Sequence, residues 1–277
     1  MDFLPLAPPA TTPRRVLTIA GSDSGGGAGM QADLRTMALL GVHACVAVTA
    51  VTVQNTLGVK DFHEVPVDVV AEQMRAVVTD IDIQAAKTGM LASSGIIATV
   101  ATTWQTLGLA VPLVVDPVCA SMHGDALLAP SALDTLRTKL FPLATLVTPN
   151  LHEVRLLVGI DVVDTAAQRA AAQALHALGP QWVLVKGGHL PSAQDSPDLL
   201  YDGTHFYEFT GSRIDTGNDH GAGDTLAAAV ACALAHGCTV GDAVAFGKRW
   251  VTECLHAAYP LGHGHGPVSP LFRLSAD

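Results

Sequence analysis

Three observations predict an α/β fold with a mainly parallel central sheet and helices on both faces. Short apolar runs ending in polar or glycine-rich segments alternate with helical patterns along the chain. Hydrophobic residues make up 49% of the composition and charged residues only 14%. That balance suits a buried sheet wrapped by helices better than a disordered or coiled-coil protein. No internal repeat or long low-complexity linker divides the 277 residues. One domain over 16–277 is therefore expected, behind a proline-rich leader, 1–15, that reads as flexible.

Charge and composition remove several function classes. The formal net charge is -10 with no basic run, so no nucleic-acid partner is expected. A phosphorylated substrate would have to be held by local amides, a lysine and a metal ion rather than by a basic surface. The five cysteines, at 45, 119, 232, 238 and 254, lack CxxC spacing and are odd in number, which fits reduced thiols and a cytoplasmic location. Glycine, polar or charged residues interrupt every apolar stretch before the roughly 18 residues of a membrane span. The leader places its basic residues last, the wrong order for a signal peptide.

The elements follow in order. A strand at 16–20 runs into a glycine loop, 21–29, and a helical pattern continues to 40. The loop lacks the Lys-Ser or Lys-Thr of a phosphate loop and cannot be placed as Gly-x-Gly-x-x-Gly, so it is read as admitting a small substrate closely. Gln31 and Asp33 fall in the first helical turns, where a solvated face is the plain alternative. A valine- and threonine-rich strand, 43–53, stops at Gln54-Asn55-Thr56. A helix is expected at 67–79, then a strand at 83–86 ending in Lys87-Thr88-Gly89-Met90, and a helix at 95–107. Strands at 113–115, 146–147 and 182–185 end in Asp116-Pro117, Thr148-Pro149-Asn150 and Lys186-Gly187-Gly188-His189, with helices at 132–140 and 165–178. A hairpin is expected over 199–209 around Asp202-Gly203.

Ligands of such sheets gather beyond the carboxyl ends of the strands, where these polar segments fall. Asp116, Asn150 and Glu153 offer oxygens suited to Mg²⁺, directly or through water. Asn150 with Glu153 also reads as a helix cap. Lys186 faces a nucleotide phosphate or is a solvated loop lysine.

Residues 216–225, Thr-Gly-Asn-Asp-His-Gly-Ala-Gly-Asp-Thr, open into an alanine-rich helix that extends to about 236, with another helix over 240–258. Glycines at the start of a helix let several amides converge on one anion. Asp224 beside such a site would repel a phosphate unless it took a proton from an attacking hydroxyl; its plain alternative is an acid favoured in a first helical turn. The tail, Gly262-His263-Gly264-His265-Gly266-Pro267-Val268, reads as a loop rather than a histidine metal site.

Eight segments in order carry a resemblance. They are 20–33, with Ala-Gly-Ser-Asp-Ser-Gly-Gly-Gly-Ala-Gly; 51–56, Val-Thr-Val-Gln-Asn-Thr; 87–90, Lys-Thr-Gly-Met; 116–118, Asp-Pro-Val; 148–153, Thr-Pro-Asn-Leu-His-Glu; 186–189, Lys-Gly-Gly-His; 220–224, His-Gly-Ala-Gly-Asp; and 262–268. Over 16–268 the chain is closely similar to the hydroxymethylpyrimidine and phosphomethylpyrimidine kinases of thiamine biosynthesis, within the ribokinase superfamily.

The resemblance implies a three-layer ribokinase-like fold, a homodimer, and transfer of the ATP γ-phosphoryl group to 4-amino-5-hydroxymethyl-2-methylpyrimidine and then to its monophosphate. It implies that Gln54 hydrogen-bonds the aminopyrimidine, with Gly21, Asp33 and Met90 lining the same pocket. Lys186 and Val268 would serve ATP, while Asp116, Asn150 and Glu153 would organise Mg²⁺. The amides of Gly221, Ala222, Gly223 and Asp224 would hold the transferring group, with Asp224 as general base. Relatives often carry cysteine at the position of Asp224 and threonine at that of Ala222. A pyridoxal or related vitamer kinase, or a catalytically silent pyrimidine-binding protein, are the alternatives.

Overall fold

The computed structural model describes residues 3–119, 128, 130–191 and 195–274. Among them, nine strands form one sheet in the order β3-β2-β1-β4-β5-β6-β7-β8-β9. The central run is parallel: β2 (His43–Asn55), β1 (Arg15–Ser22), β4 (Ala85–Thr88), β5 (Leu113–Val115), β6 (Leu146–Val147) and β7 (Trp182–Val185). At one edge β3 (Gly58–Glu64) turns back antiparallel on β2. At the other, β8 (Ser196–Tyr201) and β9 (Phe206–Gly211) add the antiparallel hairpin expected around Asp202-Gly203.

Alternation along each strand divides the core into two layers. Leu17, Ile19, Leu113, Val115, Val183 and Val185 face one cluster, and Val16, Val114, Leu146 and Leu184 face the other, as the two-residue period of a strand requires. The first cluster is covered by α2 (Val67–Asp80), α3 (Ser94–Thr106), α4 (Pro130–Thr135), α5 (Leu151–Val158) and α6 (Thr165–His176). The second is covered by α1 (Gly29–Leu39), α7 (Ala222–Ala235) and α8 (Val240–His256). The result is the three-layer arrangement.

Local signals set the helix ends. Asn150 caps α5 in a reciprocal box with Glu153, and Gly159, at φ +71°, ends it. Asp164 accepts from the Ala167 N–H to start α6, and Thr239 accepts from the Asp242 N–H to start α8. The helix expected over 132–140 begins earlier and changes pitch, α4 passing into a π turn, Leu136–Leu140, and a 3-10 turn, Phe141–Leu143, that contains Pro142. A proline there cannot donate to the helix ladder.

The first described residues of the leader pack against the domain. The Phe3 ring stands edge-on to Trp250 with centroids 6.3 Å apart, and the Arg273 guanidinium lies 3.8 Å above it. Leu4 is buried in the second cluster, so apolar contact ties this segment to α8.

Candidate active site

The order of strands reverses between β1 and β4, since the chain winds from β1 outward to β3 and resumes on the other side at β4. A crevice forms at the carboxyl ends of such a pair. Gly21 lies near the end of β1 there, and the Met90 Sδ lies 3.4 Å from where a β-carbon on Gly21 would stand. A side chain at 21 would narrow the space between these two expected pocket residues.

The following loop is organised by Asp23, which sequence reasoning passed over. Its carboxylate accepts from the N–H groups of Gly25 (2.7 Å), Gly27 (2.9 Å) and Ala28 (2.8 Å). Burial pushes its carboxyl up, but the His220 hydrogen bond and these amides outweigh that and hold it below the ordinary carboxylate range. The curled loop delivers the start of α1 to α7: the Gly29 N–H donates to Asp224 Oδ2 at 3.1 Å. Gly221, the residue before α7, has φ +79°, and a β-carbon there would stand 2.1 Å from the Gly27 carbonyl oxygen. Only glycine meets both demands.

Three ionisable side chains meet between these helices. Lys87, at the end of β4, is fully buried; its Nζ donates to Asp33 at 2.9 and 3.1 Å and to Asp224 Oδ1 at 2.8 Å. Thr18 Oγ1 donates to Asp33 Oδ2 at 2.6 Å. Asp33 was expected to line the pyrimidine pocket; it is instead wholly enclosed, with both oxygens committed to Lys87 and Thr18. Burial pushes the Lys87 ammonium towards its neutral form, yet Asp224 and Asp33 together more than reverse this, and it stays charged. Two carboxylates sharing one cation do not ionise equally. Burial, with Asp224 alongside, pushes Asp33 up to about 6 against the pull of Lys87. Burial also works to raise Asp224, but Lys87 and the Gly29 amide bring it below the ordinary range, so Asp224 carries the negative charge.

A second ion pair lies alongside. Lys186, after β7, donates to Asp116 Oδ1 at 2.9 Å, and Thr148 Oγ1 donates to the same oxygen at 2.9 Å. A β-carbon on Gly223 would stand 3.2 Å from Lys186 Nζ and 3.6 Å from Asp116 Oδ2, so this pair faces the first turn of α7. The Ala222 N–H, expected to help hold a phosphoryl group, donates to the Asp219 carbonyl at 3.1 Å. The amides of Gly223 and Asp224 lie in the first turn of the helix, where N–H groups have no intrahelical partner and can face an anion.

Asn150 and Glu153 are bound to each other. Asn150 Oδ1 accepts from the Glu153 N–H at 2.9 Å, and Glu153 Oε2 accepts from the Asn150 N–H at 2.8 Å. Burial pushes Glu153 up to about 8; Lys186 opposes this and Asp116 adds to it. Among the described residues no three His, Cys, Asp or Glu side chains come together as a ready metal cage. The donors nevertheless fit Mg²⁺, which keeps several waters and needs only one or two carboxylates beside phosphate oxygens. Asp116 Oδ2 faces α7, and the crowding of Glu153 by Asp116 is a negative field that a cation relieves.

At the end of β2, one end of the Gln54 side-chain amide lies 3.3 Å from His220 Nε2. The tail expected near the nucleotide packs on the same corner. The Val268 N–H donates to the His220 carbonyl at 3.1 Å, and the His265 N–H donates to the Thr56 carbonyl at 3.0 Å. Val268 itself is corrected: its side chain lies in the second core cluster, and only its backbone reaches this corner.

No described helix is long and apolar enough to cross a membrane. Residues 23–269 match the family model described as phosphomethylpyrimidine kinase. A hydroxymethylpyrimidine/phosphomethylpyrimidine kinase of Mycobacterium tuberculosis is 78% identical over 275 residues, 99% of this chain and 100% of the relative. Among solved structures, the ADP complex of Bacillus subtilis pyridoxal kinase superposes with a TM-score of 0.87 at 35% identity, over 95% of this chain and 100% of that one. A phosphomethylpyrimidine kinase from Clostridium difficile gives 0.77 at 36% identity, over 87% and 98%. With the ribokinase-like fold and a family match over most of its length, this chain belongs to the phosphomethylpyrimidine kinases.

Proposed function

We propose that the protein transfers the γ-phosphoryl group of ATP to the hydroxymethyl oxygen of 4-amino-5-hydroxymethyl-2-methylpyrimidine, and then phosphorylates the monophosphate to the diphosphate. The observation that carries this reading is the Asp224 carboxylate, held ionised at the start of α7 by Lys87 and the Gly29 amide. Asp224 takes the hydroxyl proton as the new oxygen–phosphorus bond forms and the β,γ-bridging bond of ATP breaks, releasing ADP. A carboxylate of low proton affinity is a weak base, but a loose phosphoryl-transfer transition state asks little of it until the bond is well formed.

The Gly223 and Asp224 amides and Lys186 meet the charge spread over the transferring oxygens. Mg²⁺, held through Asp116 with Glu153 and Asn150 behind it, would neutralise charge between the phosphates. Gln54, Gly21 and Met90 would form the pyrimidine pocket, with ATP on the Lys186 side of α7. The family resemblance further supports a homodimer, and the five scattered cysteines fit a cytoplasmic location.

A second reading, a pyridoxal kinase, is favoured by the superposition on the Bacillus subtilis enzyme. Incubation with Mg-ATP and, separately, the hydroxymethylpyrimidine, its monophosphate and pyridoxal decides between them by phosphorus NMR. Monophosphate and diphosphate signals from the pyrimidines are expected. Turnover of pyridoxal alone would transfer the protein to the second reading, and no turnover would point to a silent binder.

A further inference from the structure

The corner where Gln54, His220, Asp23 and Thr52 meet contains a proton-counting problem whose solution fixes how the substrate pocket is read. Asp23 is ionised and accepts only. Its Oδ2 lies 3.2 Å from His220 Nε2, so that nitrogen carries a hydrogen; a bare nitrogen there would set lone pair against lone pair. The end of the Gln54 amide 3.3 Å from the same nitrogen must then accept. The other end of that amide lies 3.2 Å from Thr52 Oγ1. The Thr52 hydroxyl has one hydrogen, and the Ser22 carbonyl takes it at 2.8 Å. Thr52 therefore offers a lone pair, and the Gln54 group facing it must donate. Both constraints demand the same arrangement: the Gln54 carbonyl oxygen towards His220 and its NH₂ towards Thr52.

The main chain of Gln54 is pinned at this corner: its N–H donates to Ser24 Oγ at 2.8 Å, and Ser24 Oγ donates to its main-chain carbonyl at 2.7 Å. His220 is fixed in turn, its main-chain N–H donating to the Gly266 carbonyl at 3.1 Å and its carbonyl accepting from Val268. With side chains 15% and 3% exposed, His220 and Asp23 meet largely out of water, where such a bond directs strongly.

We propose that His220, set by Asp23, is a specificity-determining positioning residue: it orients the Gln54 amide so that its remaining carbonyl lone pair lies on the His220 side and its remaining N–H on the Thr52 side. This rests on the reading of Gln54 as the residue that meets the aminopyrimidine. A ring presenting an amino donor beside a ring-nitrogen acceptor fits that pair in one orientation only. The reversed amide would turn the ring over or reject it. His220 never touches the substrate in this arrangement; it acts through Gln54.

The test is steady-state kinetics with hydroxymethylpyrimidine varied at saturating Mg-ATP, for His220→Leu, His220→Asn, His220→Gln, Gln54→Ala and the Leu and Ala changes combined. Losing the orienting hydrogen bond in His220→Leu should raise the KM for the pyrimidine about tenfold while leaving the KM for ATP within about twofold. Glutamine can place an N–H where His220 Nε2 stands, so His220→Gln should recover most of the loss; asparagine is too short and should not. The combined variant should be no worse than Gln54→Ala alone, because the two residues act in series.

If His220→Leu does not fold, the shorter polar His220→Asn decides the question with the same expected loss. A pyrimidine KM unchanged in a folded Leu or Asn variant while Gln54→Ala raises it, or losses that multiply in the combined variant, would overturn the role of His220 and leave Gln54 standing. An unchanged KM in Gln54→Ala would overturn the reading of Gln54 and this proposal with it.

Discussion

Replacing Lys87 with methionine keeps most of the side chain's volume and deletes its charge, leaving Asp33 and Asp224 facing each other in a buried site without their shared cation. Removing one partner of a buried ion pair costs about 3–5 kcal/mol. Proton uptake limits that cost. Asp33 sits at about 6 with Lys87 present, so without the lysine one carboxyl should hold its proton in the folded state well into the alkaline range. A carboxyl whose folded pKa lies above its unfolded value costs stability that grows as pH rises between the two. In the wild type this cost stops growing near pH 6, whereas in the variant it continues upward at about 1.36 kcal/mol per pH unit. The deficit of the variant should therefore be at least 3 kcal/mol near pH 8, a drop in Tm of roughly 6–12 °C for a chain of this size, and smaller by about 3 kcal/mol near pH 6. Thermal unfolding of both proteins at the two pH values measures this. A Tm within about 2 °C of wild type near pH 8, or a deficit that does not change with pH, would refute the shared-cation account.

Other expectations follow from single contacts. Gly223→Ala places a methyl group 3.2 Å from Lys186 Nζ and should lower kcat/KM for ATP about tenfold with little change in Tm, as initial rates and a melting curve would show. Gly221→Ala meets the Gly27 carbonyl at 2.1 Å with φ +79°, so it should unfold several degrees earlier or fail to accumulate as soluble protein. Glu153 has its folded pKa raised to about 8, so the cost of enclosing it is absent in acid and grows as pH rises from the ordinary carboxylate range towards 8. Glu153→Gln keeps a box-forming side chain and should flatten that part of the stability profile; an unchanged profile in denaturant titrations would rule out the buried Glu153 carboxyl as its source.

Much of the fold was legible because its signals are local. The strands at 113–115, 146–147 and 182–185 coincide with β5, β6 and β7, each a short apolar run buried on both faces and closed by a polar turn. The edge strand β3 was not legible: Gly-Val-Lys-Asp-Phe-His-Glu is mostly exposed and carries no apolar alternation. The Asn150–Glu153 box was visible as a three-residue spacing. Lys87 stood in a family motif without a role because its partners lie 54 and 137 residues away in sequence, and no periodicity encodes such pairings. Asp33 was misplaced for the same reason: position on a helix does not show which face meets a buried lysine. His220 and Asp23, 197 residues apart, are joined only when two glycine loops pack against each other.

The most direct test of the central claim, that Asp224 is the proton acceptor in phosphoryl transfer, is Asp224→Asn under single-turnover conditions with Mg-ATP and hydroxymethylpyrimidine. The substitution leaves Lys87 paired one-to-one with Asp33, so the buried ammonium keeps a carboxylate partner. The transfer rate should fall by about 10²–10⁴-fold while calorimetric affinities for the pyrimidine and for ATP stay within a few-fold of wild type. A transfer rate close to that of the wild type, with binding intact, would contradict the assignment.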